Sequence, residues 1–123
     1  MKAKTRMKTP YRAVWKIVNS VRQSSYMHLF PARCRDYKKN QRVMPDPHTL
    51  LFAYISKEAA EQQCSREHGE IILRCLGVGV QAGCHFATRV PDCVFTDEAC
   101  ARYHARSSFT EGVVWCEAII PLE

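Results

Sequence analysis

Two cysteine–histidine pairs have the spacing that comes closest to a metal site in this sequence. Cys64 and His68 lie four residues apart, and Cys100 and His104 repeat that spacing. Residues at i and i+4 share one face of a helix, and two thiolates with two imidazoles satisfy tetrahedral zinc. The sequence contains no C-x-x-C knuckle, which structural zinc sites commonly use. A zinc-stabilised interaction module is therefore one hypothesis. We favour the metal-free alternative, with the cysteines packed inward and the histidines at helix ends.

A second candidate chemistry lies towards the C-terminus. Residues 94–103 read VFTDEACARY, and Glu111 follows shortly before an apolar strand-like run. This arrangement resembles the middle and end of small ADP-ribosyltransferase domains. The resemblance implies that Glu111 or Glu117 is the catalytic carboxylate, that Tyr103 flanks the nicotinamide, and that NAD is bound. No Gly-rich phosphate loop accompanies it, because Gly77-Val78-Gly79 lacks the third glycine and the helix start. An enzyme of this type is the alternative function.

The charge distribution offers a third candidate chemistry, the binding of an anion. Residues 1–42 hold 12 lysine or arginine residues and a single acid, Asp36, whereas residues 43–123 hold 6 basic and 11 acidic residues. Such segregation concerns partners and association rates rather than the fold. The residues expected to contact the partner lie on an N-terminal arm and on a later loop: Lys2, Lys4, Arg6, Lys8, Arg33, Arg35, Lys38, Lys39 and Arg42.

These basic residues indicate a non-enzymatic binding protein. Lysine and arginine on mobile segments neutralise phosphates without reading bases, and they dock equally well on an acidic protein surface. The predicted partner is therefore nucleic acid, or an acidic surface of a complex that handles nucleic acid. An inhibitor of a host system, encoded by a phage or plasmid, would fit this description. No catalytic residue, cofactor or membrane partner is expected, since no apolar run approaches the roughly 20 residues that span a bilayer.

Cysteine usage bears on the compartment. The chain has seven cysteines, an odd number, and its basic N-terminus is followed by no apolar signal-peptide core. Reduced and mostly buried thiols are therefore expected rather than a disulfide framework. The predicted location is the cytoplasm.

The elements that must position these residues begin with a flexible basic arm over residues 1–9. Thr9 offers an N-cap, Pro10 suits the first helical position, and Val14, Ile17, Val18 and Val21 have the spacing of one helical face. The pattern predicts an amphipathic helix over residues 10–23. Residues 32–48 are basic, polar and broken by prolines, which predicts a loop. The arm is followed by a single α+β domain over residues 10–123.

From residue 49 onward the pattern repeats. Ser56 caps a helix predicted to reach about His68, with Gly69 at its C-terminal end. Thr96 would cap a matching helix, and each helix lies between two apolar strand-like runs. Two β-α-β units over residues 49–123 indicate a ferredoxin-like split β-α-β fold with an antiparallel or mixed sheet. The alternative is that helices beginning S/T-x-E-A are common and that the likeness is a coincidence.

Strand alternation sorts the side chains of residues 49–123 into two faces. The face suited to the core under the helices collects Leu51, Ala53, Ile55, Ile71, Leu73 and Cys75, joined by Val114, Cys116, Ala118 and Ile120. The other face collects Phe52, Tyr54, Arg74, Trp115 and Glu117, with His85 or Phe86. Aromatic rings beside arginine on an open sheet would stack nucleic-acid bases. The alternative, which we favour, is that the N-terminal helix covers this face.

Overall fold

Antiparallel β-sheet dominates the computed structural model, which describes residues 9–24, 35–82, 93–94 and 112–123. Six strands lie within these ranges: β1 (Thr9–Val18), β2 (Leu50–Tyr54), β3 (Ile71–Ala82), β4 (Cys93–Val94), β5 (Val113–Cys116) and β6 (Ala118–Pro121). One short α-helix, α1 (Lys57–Gln63), and a 3-10 turn (Arg66–His68) connect β2 to β3. Arm residues 1–8 and the predicted helix after Thr96 lie outside the described residues.

The strand pairings close into a ring. β1 pairs with β2 and β3, and β5 pairs with the same two strands. The four strands β1, β2, β5 and β3 therefore form a closed ring in which each pairs with two others. Outside this ring, β6 pairs with β3 and β4 pairs with β2. All of these pairings are antiparallel. Ring closure leaves few unpaired strand edges in this part of the chain.

The predicted ferredoxin-like fold of two β-α-β units is wrong, and so is the amphipathic helix over residues 10–23. Where that helix was expected, β1 runs antiparallel along β3, with Val14 opposite Cys75 and Val18 opposite Ile71. Val14, Ile17 and Val18 have β-branched side chains, which favour strands. The buried side chains of β1 are Val14, Lys16 and Val18, so they alternate as in a strand. A lysine in the middle of that alternation concealed it.

The main apolar core lies inside the ring. Its largest buried side chains include Leu51, Ile119 and Tyr37, each with no exposed surface. Ala118 and Ile120 were assigned to the core face by alternation but do not belong to this core. The other residues assigned to that face share it or pack against it: Leu51, Ala53, Ile55, Ile71, Leu73, Cys75, Val114 and Cys116. They face the interior of the ring, however, and not a layer of helices.

The single helix of the described chain packs on the outside of the ring against β1, β2 and β3. Ala60 of α1 packs in a second apolar cluster with Tyr54, Trp115 and the half-buried Phe52. The aromatic face considered as a stacking platform is thus covered, by α1 and not by an N-terminal helix. Ser56 does cap α1 as predicted, because its Oγ accepts a hydrogen bond from Ala59 N at 3.1 Å. The helix is shorter than predicted and ends at Gln63.

A paired kink divides β3 and separates β5 from β6. Gly77 and Val80 are both buried although they lie three residues apart, and Cys116 and Ile119 repeat that spacing on the partner strand. The alternation between side chains that face the core and side chains that face outward therefore shifts by one residue at this point, both on β3 and between β5 and β6. Gly79, with φ +61°, lies at the kink, and a Cβ there would come within 2.5 Å of Glu117 Cδ. Both the backbone conformation and the space favour glycine.

Candidate functional site

A short stretch, which we call the basic segment (residues 38–42), lies against the free edge of β6. Asn40 N donates to Pro121 O at 2.8 Å. The next strand-like contact is reciprocal, since Val43 and Ile119 exchange backbone hydrogen bonds of 2.7 and 3.0 Å. Gln41 N donates to Lys38 O, and Asn40 adopts φ +65°, which closes a tight turn. The turn is thus tied to β6 at Asn40 and at Val43, which directly follows the segment.

The cations of the basic segment point into solvent. The side chains of Lys38, Lys39 and Arg42 are exposed, and no ion pair joins them to any residue that the structure describes. The nearest acid in sequence, Asp36, accepts a hydrogen bond from Gln23 Nε2 at 2.9 Å. The backbone of this turn is hydrogen-bonded to β6, and the turn carries three exposed cations within five residues.

Arg35 differs from these three residues. Its guanidinium pairs with Asp46, and its Nε donates to Met44 O at 2.8 Å. Only 20% of its side chain is exposed. Arg35 therefore stabilises the loop between β1 and β2. Of the other predicted binding residues, Lys2, Lys4, Arg6, Lys8 and Arg33 lie outside the described residues.

Two further arginines lie at the same end of the ring, around the chain terminus. Arg22 donates from Nε to Tyr37 O at 2.9 Å and from its guanidinium to the Glu123 backbone oxygen. The backbone of Arg74 donates to the Glu123 carboxylate at 2.7 Å, while its side chain is exposed. Within the described chain, Glu123 thus accepts hydrogen bonds from both Arg22 and Arg74.

Lys16 is the cation whose position the sequence did not predict. It is 2% exposed, and its Nζ donates to Phe52 O at 2.6 Å. The same Nζ lies 4.0 Å from the centre of the Phe52 ring and 5.6 Å from that of Tyr37. Carbonyl oxygen and aromatic faces both attract a cation. Lys16 is part of the interior and not of a binding surface.

The interior also holds two buried thiols. Burial raises the pKa of Cys75 to about 12 and that of Cys116 likewise to about 12, and the positive charge of Lys16 opposes the shift in both cases. Such thiols remain protonated at neutral pH and are poor nucleophiles. Cys64 is only half-buried, and its pKa is raised by desolvation.

The metal hypothesis assumed that Cys64 and His68 share one helix, and they do not. Cys64 follows the end of α1 and its Sγ contacts Glu70 O at 3.6 Å, whereas His68 lies in the 3-10 turn with Nδ1 2.6 Å from Ser65 Oγ. Among the described residues no three His, Cys, Asp or Glu side chains cluster as metal ligands. Cys100 and His104 lie outside the described residues.

Of the three residues to which the ADP-ribosyltransferase resemblance assigns a role, the structure describes only Glu117. Tyr103 and Glu111 lie outside the described residues, while Glu117 is exposed at the kink between β5 and β6. Its backbone N donates to Val78 O at 2.8 Å.

Tyr11 is a surface residue that sequence reasoning missed. It lies on β1 opposite Val78 and is 60% exposed. The alternation of Tyr11, Ala13, Trp15 and Ile17 was the available signal, but it was obscured by the helical spacing of Val14, Ile17 and Val18.

Searches of protein-family models, curated proteins and solved structures find no match to this chain. Within the described ranges, no helix has the length and apolar character needed to cross a membrane.

Proposed function

We propose that this protein binds nucleic acid without catalysing a reaction, and that the basic segment contacts the phosphate backbone. The observation that carries the proposal is the exposure of Lys38, Lys39 and Arg42 on a turn that is hydrogen-bonded to β6. A turn held in place loses little conformational entropy when its side chains meet a ligand. Repeated phosphates are the polyanion that such closely spaced cations fit.

The charge around the segment supports the same proposal. Arg74 presents an exposed guanidinium near the end of β6, and Glu123 offsets part of the local charge. The arm residues Lys2, Lys4, Arg6 and Lys8, with Arg33, would add further phosphate contacts. Contacts of this kind position a protein on nucleic acid and carry no sequence information. Weak sequence preference is therefore part of the proposal.

The test is the salt dependence of binding to labelled oligonucleotides of about 16 nucleotides. The variant is Lys38→Ala/Lys39→Ala/Arg42→Ala, and the matched control is Lys57→Ala, which removes an exposed lysine from α1. We expect wild-type affinity to fall steeply between about 50 and 200 mM salt. The triple variant should bind more weakly, with a salt slope smaller by about 2, since each phosphate contact to a single strand contributes about 0.7.

Two outcomes would contradict the proposal. A shallow salt dependence in the wild type would exclude binding driven by phosphates. An equal loss of affinity in Lys57→Ala and in the triple variant would show that the basic segment has no special part. If polyglutamate binds and nucleic acid does not, the partner is an acidic protein surface instead.

A further inference from the structure

The outward side of β1, β3 and β6 forms a second surface, which we call the outer face. Cross-strand register places its residues in three rows: Tyr11, Val78 and Ala118; Ala13, Leu76 and Ile120; Trp15, Arg74 and Leu122. Paired residues on neighbouring strands project from the same side of a sheet. Along β3 the burial pattern agrees with this assignment, because Leu73 and Cys75 are buried while Arg74 between them is exposed. Ala118, in the first row, has no exposed surface.

Much of this face is apolar and accessible. Tyr11 is 60% exposed and Leu122 is 38% exposed, while Leu76, Val78 and Ile120 are half-buried. None of these five belongs to either apolar cluster of the described chain. The cluster beneath α1 extends only to Trp15, Ile17 and Ile72 on these strands.

Positive charge borders the apolar rows. Arg74 is a member of the third row, and Arg42 precedes Val43, which pairs with Ile119, so that Arg42 lies beside Ile120. Lys38 and Lys39 precede Arg42 on the same turn. The acids nearby are Glu123, which accepts from the Arg74 backbone, and Glu117 at the kink.

We propose that the outer face binds single-stranded nucleic acid, with bases stacked on Tyr11 and on the apolar rows and phosphates on Arg42 and Arg74. This inference rests on the proposed function and names the class of nucleic acid. A single strand exposes both the π-faces of its bases and its phosphates, and this surface offers an aromatic and apolar area beside cations. A duplex hides its base faces, so it would use the basic segment alone. A second copy of the chain fits less well, because the two sets of cations would face each other.

The test compares single-stranded and double-stranded oligonucleotides of one sequence at the same low salt. The variants are Tyr11→Ala and Tyr11→Phe, and Val21→Ala is the matched control because Val21 is 68% exposed but lies in the turn after β1. Tyr11→Ala should weaken single-strand binding by about fivefold or more, as expected for the loss of one base–aromatic stack. Duplex binding should change less than about twofold, and Tyr11→Phe and Val21→Ala should bind both ligands as the wild type does.

The outcomes separate this inference from the function on which it rests. If Tyr11→Ala leaves single-strand affinity unchanged, or weakens both ligands equally, the outer face does not stack bases. If the basic-segment variant still loses affinity for both ligands, the proposed function stands while this inference fails. If the wild type binds neither ligand, both fail. Sedimentation showing a dimer that Tyr11→Ala dissociates would assign the face to a second copy.

Discussion

The interior of the strand ring and the basic segment both contain lysine, in opposite environments. Lys16 is 2% exposed and its ammonium group contacts a backbone carbonyl and two aromatic rings. Lys39 is exposed on the turn beside β6. Both residues belong to the basic first third of the chain, yet only Lys39 contributes to the charge at the surface.

The difference shows that a count of charged residues along the sequence overstates the charge at the protein surface. A buried cation affects the stability of the fold through desolvation and local contacts. An exposed cation affects association and has little influence on stability. Arg35 lies between these extremes, since its guanidinium is bonded to Asp46 and to Met44 O. Of the predicted binding residues that the structure describes, only Lys38, Lys39 and Arg42 are therefore exposed cations.

The largest expected effect comes from reversing the charge at the two lysines. Lys16→Glu would place a buried carboxylate against Phe52 O and against the negative faces of two rings. We expect it to lower the free energy of unfolding by about 3 kcal/mol or more, as other uncompensated buried charges do. Lys39→Glu should change that free energy by less than about 0.5 kcal/mol and should weaken nucleic-acid binding. Urea denaturation and anisotropy titrations measure the two quantities.

A matched substitution tests whether the charge of Lys16 or its volume supports the fold. Lys16→Met keeps the aliphatic chain and removes the ammonium group, so its stability should lie close to that of the wild type. Unfolding of Lys16→Met to the same extent as Lys16→Glu would instead show that the cation is essential inside the ring.

The sequence predicted the ring interior far better than the way the strands enclose it. Leu51, Ala53, Leu73 and Cys75 could be placed on one face because strand alternation has a period of two. The same rule failed for β1, since Val14, Ile17 and Val18 also fit helical spacing. Only the pairing of β1 with β3, a contact distant in sequence, distinguishes the two interpretations.

The composition of the sequence predicted which residues of the candidate site are exposed, but not where in the fold they lie. Exposure of Lys38, Lys39 and Arg42 is what a polar loop with prolines on its C-terminal side suggests. The contact of this loop with β6 could not be foreseen, because the Val43–Ile119 pairing joins residues far apart in sequence. Burial of Tyr37 in the middle of the predicted loop had no sequence signal either.

A second prediction uses the two interior thiols. Their pKa of about 12 in the folded state exceeds the ordinary value near 9, because burial penalises the thiolate. Below about pH 9 both states are protonated and the stability is fully present. Between about pH 9 and 12 the unfolded state ionises while the folded state does not, so stability falls as the pH rises. At about pH 10.5, ionisation of each thiol in the unfolded state should lower the free energy of unfolding by about 2 kcal/mol.

Cysteine variants isolate this contribution from that of other groups that titrate at high pH. Cys75→Ala and Cys116→Ala should each reduce the slope of unfolding free energy against pH in the alkaline range. Cys64→Ala is the control, since that thiol is only half-buried. Equal slopes in all three variants and the wild type would show that neither interior thiol is shielded as described. Chemical denaturation repeated at several pH values gives the slopes.

A third prediction separates stability from affinity at α1, which carries none of the proposed binding residues. Ser56→Ala removes the hydrogen bond from Ala59 N to Ser56 Oγ and should lower the free energy of unfolding by about 1 kcal/mol. Ser56→Asp retains an acceptor and should restore most of that loss. Neither variant should alter the affinity for nucleic acid under conditions where the protein is folded. A change in affinity would place α1 within the binding surface.

The smallest effect is expected at Arg35, where the contrast between interior and surface is least sharp. Arg35→Gln removes the ion pair with Asp46 and the bond to Met44 O. Because the side chain is 20% exposed and its partner 40% exposed, solvent screens the pair, and the free energy of unfolding should fall by no more than about 1 kcal/mol. The same variant should bind nucleic acid within about twofold of the wild type, since this guanidinium already has a partner.

Arg42→Gln serves as the comparison, and it should lose affinity while keeping its stability. If Arg35→Gln loses as much affinity as Arg42→Gln, then the ion pair opens on binding and Arg35 belongs with the exposed cations of the basic segment.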